Sequence, residues 1–262
     1  MIAGNRKFPI IFSEAAKKKG YSVVAIAIKG DTSSNLKNYV DKIYWLSLGD
    51  FSRMFEIFKK EGVSRIIMAG QISPARLFTP EIKKDPALAG ILEKLKDNRA
   101  DTIFSAIADK LKEAGLELMD STTFIKDRLP AKGTLTARGP SFQEWEDVYF
   151  GLDLAKEIAL LDIGQTVAVK NKAIVAVEAL EGTDNLILRA GRITRGGAVV
   201  VKVSKPSQDT RFDIPVIGLN TVRNLAKAKV TCLAIEAGET LFIDQEQGVG
   251  LADKQGIAIV AV

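Results

Sequence analysis

Met1-Ile2-Ala3-Gly4-Asn5-Arg6-Lys7-Phe8-Pro9-Ile10-Ile11-Phe12 reads as the end of a strand, a glycine turn and the first turns of a helix. Pro9 suits a helix start, where its missing N–H costs nothing, and apolar residues through Ala15 and Ala16 carry the pattern to Gly20. Tyr21 to Ile28 is then a strongly apolar strand ending in Lys29-Gly30-Asp31. Working outward, Ile43 to Leu48 predicts a shorter strand, Phe51 to Glu61 an amphipathic helix, and Arg65 to Met68 a strand closed by Gly70. Leu88 to Leu95 and Thr102 to Ala114 add helices, and Leu116 to Met119 a last strand. Strands alternating with helices in this way predict an α/β class with a parallel sheet covered on both faces.

Such a sheet offers a nucleotide its carboxyl edge, where helix N-termini present free N–H groups to phosphate. The dinucleotide fingerprint is nevertheless unmet, because Gly4 to Pro9 holds one glycine where the motif needs three. That disfavours a hydride-transferring oxidoreductase. Gly4 itself serves a tight turn or the approach of a phosphate equally well.

At 262 residues the chain exceeds what one small core organises, and domains of roughly 100–150 residues are expected. Lys and Arg number 37 against 32 Asp and Glu, a net charge of +5 spread along the chain. This suits anionic ligands or an anionic membrane surface, whereas nucleic-acid binding would need a basic face interleaved with aromatics. No run of about 18 apolar residues spans a bilayer and no signal-peptide pattern opens the sequence, so the expectation is a cytoplasmic protein. Cys232 sits in the apolar run Val230 to Ile235 and reads as a core residue. Histidine is absent, which removes imidazole zinc sites, Ser-His-Asp and Cys-His arrangements and histidine bases together. Hydrolysis would then fall to carboxylates, Lys, hydroxyls or a hard metal ion.

From Leu129 to Phe142 the composition turns to Pro, Gly, Thr and Ser, predicting a connection, with an N-terminal domain over 1–130, a linker over 131–144 and a C-terminal α/β domain over 145–262. Trp145 to Leu161 predicts a long helix, its Trp145 and Tyr149 packing at the junction. Short strands follow at Thr166 to Val169, Ala173 to Val177, Val199 to Val203, Val230 to Ile235, Thr240 to Ile243 and Ile257 to Val262. Helices are expected at Thr221 to Ala228 and near Gln245 to Asp253.

Two constellations carry the chemistry. Val199 to Val203 delivers a polar loop in which Lys202, Lys205 and Arg211 offer positive charge, Asp209 and Asp213 hard oxygens, and Gln208, Thr210, Asn220 and Thr221 further polar groups. An ordinary surface turn would use the same residue types. Glu178-Ala179-Leu180-Glu181-Gly182-Thr183-Asp184 likewise follows a strand and leads to Arg189. Its carboxylates could hold a metal, or Thr183 or Asp184 could cap a helix through Asn185 to Arg189. Asp162-Ile163-Gly164-Gln165 is a weaker third element, most simply a turn.

These segments resemble the LpxI-type UDP-2,3-diacylglucosamine pyrophosphatases of lipid A biosynthesis. The resemblance rests on Ile2-Ala3-Gly4 with Pro9, Met68-Ala69-Gly70, Leu161 to Gln165, Val177 to Asp184, and above all Lys205-Pro206-Ser207-Gln208-Asp209-Thr210-Arg211-Phe212-Asp213-Ile214-Pro215 with Ile217-Gly218. It implies a Rossmann-like N-terminal domain, a C-terminal α/β domain particular to the family, and Mg²⁺-dependent (or Mn²⁺-dependent) hydrolysis to UMP and 2,3-diacylglucosamine 1-phosphate. The family's essential aspartate falls on Asp213 by its Asp-x-Pro motif. Arg6 stands where a second glycine is usual. The site expected on these grounds has Asp213, Asp209, Lys205 and Arg211 at the reacting phosphate, and Gly4, Lys202, Gln208, Thr183, Arg189 and Thr221 on the substrate. Asp213, Asp209, Glu181 and Asp184 are the expected metal ligands. The implied partner is a lipid-linked UDP-sugar, with no nucleic acid; peripheral contact with the cytoplasmic face of the inner membrane and a homodimer are compatible with it. The competing reading is a nucleotide-sugar or acidic-ligand binder that does not hydrolyse.

Overall fold

The fold was obtained as a computed structural model that describes residues 1–73, 76, 79–97, 99–206 and 208–262. It separates into two compact units, residues 1–126 with 209–213, and residues 127–208 with 214–262.

The first unit runs β1 (Ile2–Ala3), α1 (Phe8–Lys18), β2 (Val24–Ile28), β3 (Lys42–Leu46), α2 (Phe51–Lys60), β4 (Arg65–Ile66), β5 (Met68–Ala69), α3 (Pro86–Leu92), α4 (Ala100–Glu113) and β6 (Glu117–Leu118). Among the described residues β3, β2, β1 and β5 form a parallel sheet in that order, and β4 pairs in parallel with β6. Only Ile67 parts β4 from β5, and its carbonyl accepts from Ile2 N–H at 2.8 Å. The sheet is therefore continuous in sense, with the strand order of half a Rossmann fold. On α2 the residues Met54, Ile57 and Phe58 fall on one helical face and are buried. Fully burying Phe58 among Ile26, Ile66 and Leu111 contributes about 1.5–3 kcal/mol.

Gly4 and Gly70 close this sheet's edge back to back. A Cβ on Gly4 would lie 2.6 Å from the Gln71 carbonyl oxygen, and one on Gly70, whose φ is +83°, would lie 2.5 Å from that of Asn5. The close approach lets Gly4 N–H donate to Ala69 O and Asn5 N–H to Gln71 O, both at 2.8 Å. Arg6, in the next position but one, takes φ 65° without glycine's freedom.

The second unit holds β7 (Gly133–Thr134), α5 (Phe142–Leu160), β8 (Thr166–Lys170), β9 (Ala173–Val177), α6 (Thr183–Thr194), β10 (Val199–Lys202), β11 (Val216–Gly218), α7 (Leu219–Lys227), β12 (Cys232–Ile235), β13 (Leu241–Ile243), α8 (Gln245–Lys254) and β14 (Ala258–Ala261). Its main sheet has the order β7-β14-β12-β10-β8-β9, with β10, β12 and β14 parallel and the flanking pairs antiparallel. β11 and β13 make a small parallel pair. Alternation decides which side each residue serves: Val199 and Val201 meet Val148, Ala155 and Ala159 of α5, while Val200 meets Leu186 and Ile187 of α6 and Leu225 of α7. Gly151 lets α5 come this near, since a Cβ there would meet Val201 Cγ2 at 2.8 Å.

The stretch expected to be a linker contributes to this unit. β7 lies inside it, and Ser141 caps α5 in a reciprocal arrangement with Glu144. Arg138 grips Glu144 with both guanidinium branches, at 2.7 and 2.8 Å, and donates to Thr231 O at 2.7 Å. The polar composition that suggested a connection is spent on caps and ion pairs. Trp145 stacks on Tyr149 at 5.4 Å and packs against the α5 side of the sheet. Cys232 is wholly buried, and burial pushes its thiol up to about 12, as a core residue requires. No helix among the described residues is long and apolar enough to cross a membrane.

Candidate functional site

Antiparallel pairing of β8 with both β9 and β10 puts the start of β8 beside the ends of the other two. Polar side chains gather there. Lys202, only 5% exposed, donates to Thr183 Oγ1 at 2.9 Å and to Thr166 Oγ1 at 3.4 Å. Thr183 in turn donates to Glu178 Oε1 at 2.8 Å, and the other Glu178 oxygen lies 3.9 Å from the Lys202 ammonium. A charge this deep persists only when paired and hydrogen-bonded, which Thr183 and Glu178 accomplish together.

The network continues along the edge. Gln165 N–H donates to Glu178 at 3.4 Å, and its side chain donates to Gln208 Oε1 at 3.4 Å. That Gln208 oxygen also accepts from Lys205 N–H at 2.7 Å, and the Lys205 ammonium sits 2.5 Å from Asp162 Oδ1. Gln208 Nε2 is buried with no partner among the described residues. Nearby in the same loop, Ser204 donates to Glu236 from its backbone at 2.5 Å and its hydroxyl at 2.9 Å, and Lys156 pairs with Glu236 at 2.6 Å. Gly164 is required because a Cβ there would collide with the Glu178 carbonyl.

Lys202, Lys205, Gln208 and Thr183 of the expected site thus share one edge of the second unit. The remaining expected residues of this unit are held separately. Glu181 pairs with Arg189 at 2.6 Å and accepts from Ala179 N–H at 3.1 Å. Burial pushes its carboxyl up, but those contacts outweigh it and hold the pKa below the ordinary value. Arg189 also donates to Val177 O at 2.8 Å. Asp184 accepts from Asn220 at 3.0 Å, and the buried Thr221 hydroxyl accepts from Gly218 N–H at 3.4 Å at the start of α7. The capping expected of Thr183 or Asp184 does not occur: Gly182, at φ 79°, is the N-cap of α6, and the Thr183 hydroxyl is turned to Glu178.

Residues 209–213 cluster with the first unit, as does Gly4. Thr210 donates to Asp120 Oδ2 at 2.6 Å, and its carbonyl accepts from Ser121 N–H at 2.9 Å and from the Ser121 hydroxyl at 2.7 Å. Phe212 stacks on Phe104 with centroids 5.8 Å apart. Arg211 clasps Asp209, with contacts at 2.9 and 2.6 Å, which holds that carboxyl below its usual range. Asp213 N–H donates to Asp209 O at 2.9 Å, closing one turn that carries both aspartates. Burial raises Asp120, yet hydrogen bonds from Thr122 and Thr210 leave it lowered overall. Ser207, part of the same motif, lies outside the described residues. Among the described residues no group of three or more His, Cys, Asp or Glu side chains is gathered closely enough to hold a metal ion.

Sequence reasoning assigned no role to Asp120, Glu236 or Thr166. Glu178 and Asp162 stood in quoted motifs but outside the expected site. The glycines Gly164 and Gly182 were the available signal, each marking a turn that a side chain or ordinary φ would prevent.

A half-Rossmann unit, joined in sequence to a second α/β unit whose cations and acids line strand ends, defines a two-domain α/β protein. The chain belongs to the LpxI family: the LpxI N-terminal domain matches residues 1–128 and the LpxI C-terminal domain residues 131–260. It is similar to the UDP-2,3-diacylglucosamine pyrophosphatase LpxI of Caulobacter vibrioides, 26% identical over 272 residues covering 100% of this chain and 96% of the relative.

Proposed function

We propose that this protein hydrolyses the pyrophosphate bond of UDP-2,3-diacylglucosamine, releasing UMP and 2,3-diacylglucosamine 1-phosphate. The observation that carries the reading is the turn Asp209 to Asp213, which carries both motif aspartates and is anchored by the Thr210–Asp120 hydrogen bond, the Asp213 N–H to Asp209 O bond and the Phe212–Phe104 stack. A diphosphate ester repels an attacking water, so the protein must supply positive charge and a positioned oxygen base. In this reading Asp213 orients the water, while Lys202, Lys205 and Arg211 neutralise phosphate oxygens. Gly4, Gln208, Thr183, Arg189 and Thr221 serve substrate binding or its support.

Carboxylate oxygens are the right donor type for Mg²⁺ or Mn²⁺. Asp213 and Asp209, which share one turn, are the residues we assign to hold it, and Asp209 would first exchange its guanidinium partner; Glu181 and Asp184, expected as further ligands, are engaged by Arg189 and Asn220 instead. The ion's contribution would be to neutralise phosphate charge. Incubation with substrate, with and without a chelator, tests both parts. Release of UMP abolished by chelation and restored by Mg²⁺ is expected; undiminished release in excess chelator removes the metal.

The carboxylate–guanidinium pairs at Asp209 and Glu181 favour one second reading, a binder that holds the nucleotide sugar and leaves it intact. Substrate recovered unchanged under every divalent-ion condition would decide for it. A homodimer belongs to the same proposal, and sedimentation of the purified chain tests it.

A further inference from the structure

We infer that the groove between α6 and α7 is a docking surface for anionic membrane lipid. A cavity of about 870 Å³ opens there, and its charged lining is Arg189, Arg192, Arg195, Lys227 and Lys229 against the single acid Glu181. Basic residues in the last turn of a helix offset its dipole, which accounts for Arg192 on α6 and Lys227 on α7. It does not account for the convergence of Arg195 and Lys229 on the same hollow just past the two helix ends. The helices meet there because Gly191 has no side chain; a Cβ would lie 2.6 Å from that of Ala228. Arg189 is partly neutralised by Glu181, which leaves the excess charge toward the far end of the groove.

Charge complementarity commits the surface to a polyanion, and its neighbours decide which. Leu188 lines the groove and Ile193, beside Arg192, is 59% exposed, while no aromatic ring is among the lining residues. Single-stranded nucleic acid would call for aromatic faces on which bases stack. Aliphatic side chains among exposed cations instead match a lipid interface, where basic groups meet phosphate and apolar groups enter the headgroup boundary. The inference does not depend on the proposed reaction.

The test is co-sedimentation of the full chain with vesicles of phosphatidylglycerol in phosphatidylcholine, and with phosphatidylcholine alone, at low and high salt. Binding to the anionic vesicles only, weakened by salt, is expected. Arg192→Gln/Arg195→Gln/Lys227→Gln should bind about a hundredfold more weakly, at about 1 kcal/mol per charge removed. Arg192→Lys/Arg195→Lys should bind like the parent, because a membrane field reads charge and not guanidinium shape. Equal binding of the Gln variant, loss of binding in the Lys variant, attachment to neutral vesicles, or retention of a DNA oligomer but not of vesicles would each overturn the inference. Thermal melting of both variants within a few degrees of the parent separates these outcomes from misfolding, and UMP release is read independently.

Discussion

Arg6 shows how a single residue records a departure from a pattern. Its φ of 65° is the conformation glycine takes freely, and Arg6 stands where the family pattern usually has glycine. Comparing Arg6→Gly with Arg6→Ala removes the guanidinium side chain in both cases and leaves only the Cβ as the difference, which isolates the backbone term. The glycine variant should be more stable by about 1–2 kcal/mol in denaturant unfolding, and equal midpoints would show that the turn relaxes. Lys202 offers a second case. Removing the ammonium in Lys202→Met leaves Glu178, 8% exposed, without its cation, and should cost about 3–5 kcal/mol. Adding Glu178→Gln should recover part of that loss; strictly additive costs would mean that the two groups do not interact. None of this was legible at Glu178, because a carboxylate at a strand end looks the same in sequence whether it caps a turn or holds a lysine.

At the scale of elements, sequence was most readable where periodicity was long. The strand and helix pattern of the first 119 residues and the helices α7 and α8 fall close to where their apolar spacing put them. The stretch from residue 131 to 144 was not readable, since its strand is two residues long and its order comes from Arg138 reaching Thr231, 93 positions away. The loop after β10 was read as polar and as a candidate site, but not that its turn belongs with the first unit. That depends on Asp120, 90 positions from Thr210, and no local pattern announces such a pair. The turn's anchoring makes a prediction. Phe212→Ala should remove the stack on Phe104, lower the unfolding free energy of the first unit by about 1–3 kcal/mol, and reduce kcat more than it raises KM. An unchanged kcat would mean that the position of Asp213 does not depend on this ring.

For the whole molecule, acid stability follows from the carboxylates held below their ordinary range. Burial raises Glu144, but Arg138, the Ser141 N–H and Thr231 outweigh it and bring it from 4.5 to about 2. A depressed acid stabilises the folded state fully above its unfolded value and loses that contribution as pH falls through the folded one. Glu144 should therefore contribute about 2 kcal/mol at neutral pH, a discounted figure because Arg138 is 39% exposed, and lose it between about pH 4.5 and 2. Glu144→Gln should flatten the stability profile over that range; a profile as steep as the parent's would assign the acid sensitivity elsewhere.

Product analysis by mass spectrometry, with UDP-2,3-diacylglucosamine given to the parent protein and to Asp213→Asn, tests the central claim most directly. The account predicts UMP and 2,3-diacylglucosamine 1-phosphate in equal amounts from the parent and none from a variant that melts like it. Intact substrate after incubation with the parent and divalent ion, or full turnover by Asp213→Asn, would contradict it.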